Sequence, residues 1–275
     1  MDVKLSSNNF SDIYSISDFI QWWLDEDYLQ GEQLDTFKNY YRSHVSNFGH
    51  YIKYHYGQQT KELFDELAED KSKKILEVGC GCGTEALWLA MHGYSVTAVD
   101  VSDELLEVAK SRKIILEQYL GRDLPCQFIN QSLLDITKNK YDVIWMEQTF
   151  HHLEPRGDVF VKLSELLHSG GRLVISETNA WNLVIQAQYF KGRGFNTVIN
   201  HNGVQWGNER ITTAKNLVNS LQQCGIEKKV VRYFRIFPNK PWVDSLTYFL
   251  GVFDKHELRV IKPLYTHYNY VGVKD

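Results

Sequence analysis

The chain has 275 residues, of which 43% are hydrophobic and 23% charged, as is usual for a globular protein with a sizeable core. Its formal net charge is −4, and its longest basic run, at residues 71–74, is short, so nucleic acid is not expected as a partner. No apolar run reaches the roughly 18 residues of a membrane span, and residues 1–10 do not resemble a secretory signal. Four cysteines without a C-x-x-C pair favour neither zinc nor a redox motif, and we expect a cytoplasmic protein with reduced thiols.

Helices are predicted for the N-terminal part of the chain. Two series of residues recur at helical spacing between residues 15 and 70. The first is Ile16, Phe19, Ile20, Trp23 and Leu24, and the second is Phe37, Tyr40, Tyr41, His44, Val45 and Phe48. We therefore expect residues 1–70 to form a helical cap in front of a second unit, residues 71–275.

Strands and helices alternate from residue 74 onwards, which predicts an α/β fold with a parallel sheet covered on both faces. The strands are predicted at 74–79, 95–100, 126–130, 141–146, 172–177, 228–237 and 266–273. The helices are predicted at 84–92, 103–119, 157–168, 213–223 and 242–250, with Gly170-Gly171 stopping the third. Residues 179–210 interrupt this alternation, and we expect an insertion that acts as a lid or binding element.

The most informative motif is the segment from Ile75 to Thr84, where a strand-like run ends in glycines at alternate positions. An amphipathic stretch follows, and the next apolar run ends in Asp100. Glycines let backbone N–H groups approach a ligand, and a carboxylate at the next strand end suits ribose hydroxyls. The pattern indicates nucleotide binding, although a structural turn without ligand remains an alternative. The dinucleotide fingerprint would need a glycine at Thr84, which argues against a nicotinamide enzyme.

With Glu77 the pattern reads E-x-G-x-G-x-G, and it resembles motif I of the class I S-adenosylmethionine (SAM) dependent methyltransferases. Residues 128–135 resemble the segment of that family that borders the adenine, and residues 141–153 resemble its fourth strand and following loop. The resemblance covers residues 74–178 and implies a Rossmann-like, mostly parallel sheet of order 3-2-1-4-5-7-6 with an antiparallel last strand. It also implies SAM as cofactor and S-adenosylhomocysteine (SAH) as product. The cofactor-binding residues implied are Glu77, Gly79, Cys80, Gly81, Gly83, Asp100, Val101, Ser132, Leu133 and Glu147.

Ser132 departs from the family, because many relatives have an acid there to accept a hydrogen bond from the adenine. A hydroxyl is a weaker acceptor, so this contact could shift to Gln131 or to the backbone of Leu133.

The acceptor is expected to be a small molecule methylated at oxygen or nitrogen, such as a sugar, a glycan precursor or a secondary metabolite. His151 and His152 follow strand four at the ligand-binding edge, where one could take a proton from the acceptor, unless it packs under the loop. Further candidates for acceptor binding are Tyr51, Tyr54, Glu177, Trp181 and His201. No dense acidic cluster follows strand four, so no metal is expected. A nicotinamide oxidoreductase or a non-catalytic SAM-binding scaffold remain alternatives, and the chain is expected to be a monomer or a homodimer.

Overall fold

A seven-stranded mixed sheet organises the protein, and helices cover it. The computed structural model describes residues 13–25, 28–41, 49–137, 139–193, 198–201, 204–208, 210–237, 240–246 and 259–275. The helices are α1 (Ile16–Asp25), α2 (Glu32–Tyr40), α3 (His50–Leu67), α4 (Thr84–Met91), α5 (Asp103–Leu120), α6 (Arg156–Leu166), α7 (Leu183–Arg193), α8 (Ala214–Gln222) and α9 (Pro241–Asp244). The strands are β1 (Lys74–Val78), β2 (Ser95–Asp100), β3 (Cys126–Asn130), β4 (Tyr141–Glu147), β5 (Leu167–Thr178), β6 (Val198–His201), β7 (Val204–Asn208), β8 (Ile226–Phe234) and β9 (His267–Lys274).

The strand order of the main sheet is β3-β2-β1-β4-β5-β9-β8. Strands β1 to β5 pair in parallel, and β9 runs antiparallel between β5 and β8. Because β6 and β7 form a separate hairpin, β8 and β9 are the sixth and seventh strands of this sheet. The predicted order 3-2-1-4-5-7-6 is thus confirmed. The carboxyl ends of β1, β2, β4, β5 and β8 meet at one edge, which is where open α/β sheets bind ligands.

The central strands are buried on both faces, as expected for parallel strands between helical layers. In β4, the residues from Val143 to Met146 are buried without a break. Helix α4 begins directly after the glycine loop, and its residues from Thr84 to Ala90 are all buried. The loop is therefore anchored between a buried strand and a buried helix, and it has little freedom to move.

Strand β5 is longer than predicted. The sequence predicts that helix 157–168 is stopped by two glycines, but α6 ends at Leu166 and the strand starts at once. Leu167 already pairs with Tyr141, and the register then shifts before Arg172 pairs with Val143. Gly170 has φ of 74° inside this irregularity, so the glycines serve a bulged strand and the predicted helix stop is wrong.

The N-terminal helices lie against the sheet domain through an aromatic cluster. Phe19 and Trp23 of α1 and Phe37 of α2 surround the guanidinium of Arg112 on α5, at 4.7 to 5.3 Å from each ring centroid. The prediction of helices is correct for α1, α2 and α3, but α2 ends at Tyr40, and residues 42–48 lie outside the described part of the chain. Whether residues 1–70 form a separate unit stays a prediction.

The segment after β5 contains helix α7 and the hairpin of β6 and β7. An isolated bridge between Asn179 and Thr212 joins the two ends of this segment next to the sheet. The backbone therefore leaves the sheet edge after β5 and returns to the same place before α8. Its role as a lid stays a prediction.

Candidate active site

The glycine loop adopts a backbone that only glycine accommodates without strain. Gly79, Gly81 and Gly83 have φ of 72°, 50° and 73°, all in the left-handed region. A Cβ on Gly79 would strike the side chain of Thr149, and a Cβ on Gly81 would strike the ring of Tyr40. The alternate glycines therefore meet two requirements at once, the turn of the loop and the close approach of neighbouring side chains.

Asp100 fixes this loop from the end of β2. Its Oδ2 accepts a hydrogen bond of 2.8 Å from the Gly81 N–H, and its Oδ1 accepts one of 2.9 Å from the Ser102 N–H. Each carboxylate oxygen has a second lone pair that can accept a further hydrogen bond. The side chain is partly exposed, so a ligand hydroxyl can reach it.

A cavity of about 370 Å³ opens beside this carboxylate, a size typical of small-molecule sites. Seven of the ten predicted cofactor-binding residues line it, namely Gly79, Gly81, Asp100, Val101, Ser132, Leu133 and Glu147. Its other walls include Tyr40, Leu105, Gln131, Gln148, Thr149 and His152. The cavity thus combines apolar side chains from the β2 and β3 ends with polar groups from the β4 end.

Three predicted cofactor-binding residues do not line the cavity. Cys80 is buried inside the loop, and Gly83 caps α4 against the ring of Phe128. Glu77 is only 2% exposed, below the loop. The structure gives these residues positions that support the loop, so direct contact with a cofactor stays a prediction for them.

Sequence reasoning missed Tyr40 and Thr149 as cavity residues. Tyr40 was predicted to belong to the apolar face of a helix, but it is 42% exposed and its hydroxyl lies over Gly81. Thr149 Oγ1 donates to the carbonyl oxygens of Gly79 and Glu147, at 3.3 and 2.9 Å. No signal in the sequence relates Tyr40 to Gly81, which is 41 positions away, because this contact depends on how α2 packs.

Three neighbouring glutamates, Glu77, Glu85 and Glu147, give the site an acidic side. Burial, followed by repulsion from Glu85 and Glu147, raises the pKa of Glu77 well above its usual value. Burial, then Glu85, likewise raises the pKa of Glu147, and Gln59 donates a hydrogen bond to the Glu147 carboxyl. A ligand with a positive group would relieve this repulsion, so the acidic side favours a cationic ligand.

His151 and Glu177 form a buried pair at the carboxyl ends of β4 and β5. The His151 Nδ1 lies 2.8 Å from Glu177 Oε1, and the backbone N–H of His151 donates to Glu177 Oε2 at 3.0 Å. Burial opposes ionisation of Glu177, but the contacts with His151 and the Thr178 N–H outweigh it and lower the Glu177 pKa. An ionised Glu177 can only accept, so the His151 Nδ1 carries a proton.

His152 lies beside this pair and lines the cavity. The two imidazole rings are 4.0 Å apart between centroids. Removal from water, followed by the neighbouring His151, lowers the pKa of His152 to about 4. His152 is therefore neutral near pH 7.

The residues predicted to bind the acceptor are more scattered. Tyr51 is buried, and its hydroxyl donates to the Phe237 carbonyl at 3.1 Å. Tyr54 lies partly buried beside His55, and Trp181 is 46% exposed after the end of β5. His201 is in β6, but its side chain lies outside the described part of the structure. Of these predicted residues, Glu177 contacts His151, and acceptor binding by any of the five stays a prediction.

The described residues contain neither a metal-binding group nor a membrane-spanning helix. Among them, no group of three or more His, Cys, Asp or Glu side chains is placed to hold a metal ion. Of the helices that the structure describes, none is both long and apolar enough to cross a membrane.

Comparison with known proteins finds methyltransferases that are similar in sequence to this chain. Residues 76–175 match the family model described as "Methyltransferase domain". Over 121 residues the chain is 31% identical to the methyltransferase GfsG of Streptomyces halstedii. This alignment covers 44% of this chain and 43% of that protein. Over 109 residues it is 33% identical to the ubiquinone biosynthesis O-methyltransferase of Coxiella burnetii, covering 40% of this chain and 45% of that protein. These matches span less than half of each relative.

A solved structure extends the likeness to nearly the whole chain. Magnesium protoporphyrin IX methyltransferase from Synechocystis PCC 6803, with bound SAH, superposes with a TM-score of 0.58. The superposition covers 95% of this chain and 100% of that one, at 15% identity. At that identity the likeness establishes a shared fold, which includes the N-terminal and C-terminal parts outside the matched domain.

Proposed function

Since this chain contains a methyltransferase domain of the class I SAM-dependent family at residues 76–175, we propose that it transfers a methyl group to a small-molecule acceptor at oxygen or nitrogen. The observation that carries the proposal is the position of the His151–Glu177 pair. His151 lies against His152, and His152 lines the cavity together with the glycine loop and Asp100. This arrangement supports a proton acceptor close to the proposed cofactor site.

The cavity residues fit SAM. The Asp100 carboxylate can accept hydrogen bonds from ribose hydroxyls while it holds the loop. The side chains of Leu133 and Gln131 can border the adenine, and the acidic side near Glu147 suits a cationic amino acid portion. SAM supplies an activated methyl group on a sulfonium, so the protein has to position the acceptor, exclude water and take up a proton.

His151 is the proposed proton acceptor. Glu177 accepts the proton on His151 Nδ1, so Nε2 is the atom that would take up a proton from the acceptor. The backbone N–H of His151 holds the same carboxylate, and together the two contacts set the orientation of the ring. Because Glu177 stays ionised, it also stabilises the imidazolium that forms when His151 takes the proton from a hydroxyl or ammonium group. His152, neutral and on the cavity wall, is proposed to contact the acceptor.

The alternative of a nicotinamide enzyme is weakened by the surroundings of Thr84. Its Oγ1 contacts the hydroxyl of Tyr41 at 2.5 Å and accepts from Arg112 at 2.8 Å. The third glycine of a dinucleotide fingerprint serves close packing of strand and helix, whereas this position carries a buried, hydrogen-bonded hydroxyl. No observation favours hydride transfer.

The test begins with calorimetric titration of the protein with SAM, SAH and NADH. We expect binding of SAM and SAH and none of NADH. Binding of NADH alone would refute the proposal. Formation of SAH from SAM is then measured over a panel of phenols, amines and sugars.

A matched pair of variants tests the proposed base. We expect His151→Gln to lower kcat about a hundredfold or more, within the usual contribution of general base catalysis, while SAH affinity is retained. The control is His168→Gln, which changes an exposed histidine of β5. SAH binding without turnover of any acceptor in the panel would favour the scaffold alternative.

A further inference from the structure

Strand β8 brings an arginine to the ligand-binding edge of the sheet. β8 and β5 are both antiparallel to β9, so their carboxyl ends lie at the same edge. His267 pairs with Thr178 on one side and with Phe234 on the other. Arg235 follows Phe234 and therefore lies two strands away from the end of β5.

The backbone at Arg235 is strained and firmly held. Its φ of 61° is in the left-handed region, which a non-glycine residue adopts at a cost. Its carbonyl oxygen accepts hydrogen bonds from both the N–H and the Oγ1 of Thr266, at 2.7 and 2.8 Å. Such a backbone conformation persists where the surrounding structure enforces it, and it fixes the position of the Arg235 Cβ.

Two histidines face this arginine from different elements. His55, on α3, is 2% exposed, and neither of its ring nitrogens has a hydrogen-bond partner. His267, the first residue of β9, contacts Thr266 Oγ1 through Nδ1 at 2.7 Å. The ring of Phe234 lies 6.5 Å from the His55 ring and 5.5 Å from the His267 ring. We refer to Arg235, His55 and His267 as the arginine–histidine cluster.

Burial lowers the pKa of all three members of the cluster. For His55 and His267 the second cause is the positive charge of Arg235. For Arg235 itself the opposing influence is Tyr51. Among the described residues, the charged groups that lower the pKa of the two imidazoles are positive, and both imidazoles remain uncharged near pH 7.

Several other cations of this protein have partners for their side chains, and the fully buried Arg112 donates to the Cys82 carbonyl and to Thr84 Oγ1. Arg172 and Lys229 share Glu66, and Arg232 pairs with Glu62 at 3.1 Å. Arg235, in contrast, forms no ion pair within the part of the chain that the structure describes. A half-buried cation without a counter-charge is poorly stabilised, and a buried imidazole with two unpaired nitrogens adds to that cost.

We propose that the arginine–histidine cluster binds an oxyanion, a carboxylate or a phosphate, that is part of the methyl acceptor. Arg235 provides the charge and a planar set of donors, and His55, whose ring nitrogens have no partner, provides an additional N–H donor. Thr178 connects the cluster with the cavity, because it pairs with His267 and its hydroxyl donates to Gln148 at 2.6 Å. Gln148 lines the cavity. The assignment to the acceptor rests on the proposed methyl transfer, whereas anion binding itself does not.

The experiment measures anion binding directly, with SAH-saturated protein and three probes. Benzoate and phenyl phosphate are anions, and benzamide is the neutral counterpart of benzoate. Affinities are obtained by calorimetry, and the imidazole signals of His55 and His267 are followed by NMR with labelled histidine. We expect at least one anion to bind roughly tenfold or more tightly than benzamide and to raise the pKa of both imidazoles, because it supplies the missing negative charge.

Variants make the test specific to the cluster. Asparagine tolerates the left-handed region, so Arg235→Asn removes the charge without the backbone cost of other residues. We expect it to reduce anion affinity roughly tenfold or more and to leave the SAH dissociation constant unchanged. Arg235→Lys should retain part of the anion affinity, and it covers the case in which the asparagine variant does not fold. Lys228→Gln is the control, because it removes one positive charge from an exposed position of β8.

Each possible result of these titrations either supports or overturns the proposal. Failure of both anions to bind more tightly than benzamide, or unchanged anion affinity in Arg235→Asn, would overturn the proposal. Tighter binding of phenyl phosphate than of benzoate would assign a phosphate, and the reverse order a carboxylate. If SAH does not bind at all, the proposed methyl transfer fails, but the same anion titrations on the protein alone still test the cluster.

Discussion

Replacement of Asp100 by asparagine is the sharpest test of the cofactor site. The substitution keeps the shape of the side chain but removes its charge and replaces one acceptor oxygen with an NH2 group. In the structure both oxygens are in use, since Oδ2 accepts from Gly81 at 2.8 Å and Oδ1 accepts from Ser102 at 2.9 Å. The amide can replace one of these contacts and not the other, so Asp100→Asn weakens both the loop and the ribose site.

The magnitude follows from the charge-assisted bonds that a ribose would make with this carboxylate. A hydrogen bond to a charged group contributes about 1.5–3 kcal/mol. Loss of one such contact should therefore raise the dissociation constant of SAH roughly tenfold to 150-fold. Asp103→Asn is the matched control, because it removes the same charge three residues later, where the side chain is exposed and bonded to Asn130.

Calorimetry with SAH, adenosine and homocysteine distinguishes the loss of a ribose contact from an effect of the substitution on all ligands. Adenosine should lose the same factor as SAH in Asp100→Asn, and homocysteine should lose nothing. SAH affinity within twofold of the wild type in Asp100→Asn would show that the carboxylate does not bind the ribose. An equal loss in Asp103→Asn would show that only the overall charge matters.

Three further predictions concern stability and reactivity. Arg112→Met should lower the free energy of unfolding by about 1–3 kcal/mol in urea titrations, because Arg112 is fully buried and its removal leaves the buried Cys82 carbonyl without its donor. His152 has its pKa lowered from 6.5 to about 4, so the unfolded state binds the extra proton and the wild type loses stability as pH falls from 6.5 to 4. His152→Gln should show a smaller loss of melting temperature over that range. Burial raises the pKa of Cys82 to about 12, so Ellman's reagent should modify the partly exposed Cys224 first and Cys82 only on unfolding.

Controls exist for each of these. Arg122→Met removes an exposed arginine, and a comparable loss of stability there would contradict the argument for Arg112. A melting temperature that falls between pH 6.5 and 4 as steeply in His152→Gln as in the wild type would exclude His152 as a cause. Modification of Cys82 in the folded protein at the rate of Cys224 would show that the glycine loop opens.

The cofactor half of the site could be predicted from the sequence because its determinants are local. A positive φ at Gly79, Gly81 and Gly83 is a property of single residues, and it excludes most other side chains. Asp100 follows from the same reasoning, since it ends the strand after the loop. The strand order came from the resemblance to a known family and is confirmed.

The acceptor half depends on contacts between residues far apart in sequence. His151 and Glu177 are 26 positions apart and meet because β4 and β5 are neighbours in the sheet. Arg235 and His55 come together because β8 lies at one end of the sheet and α3 packs across it. Residue type alone could not distinguish these side chains from other buried polar residues.

The sequence by itself thus determined the glycine loop and the position of Asp100 beside it, because backbone conformation is encoded residue by residue. Only the tertiary structure decided which histidine has a carboxylate partner, and that Arg235 forms no ion pair with any described residue. Those properties arise from strand order and helix packing, which set the distance between charges and their separation from water.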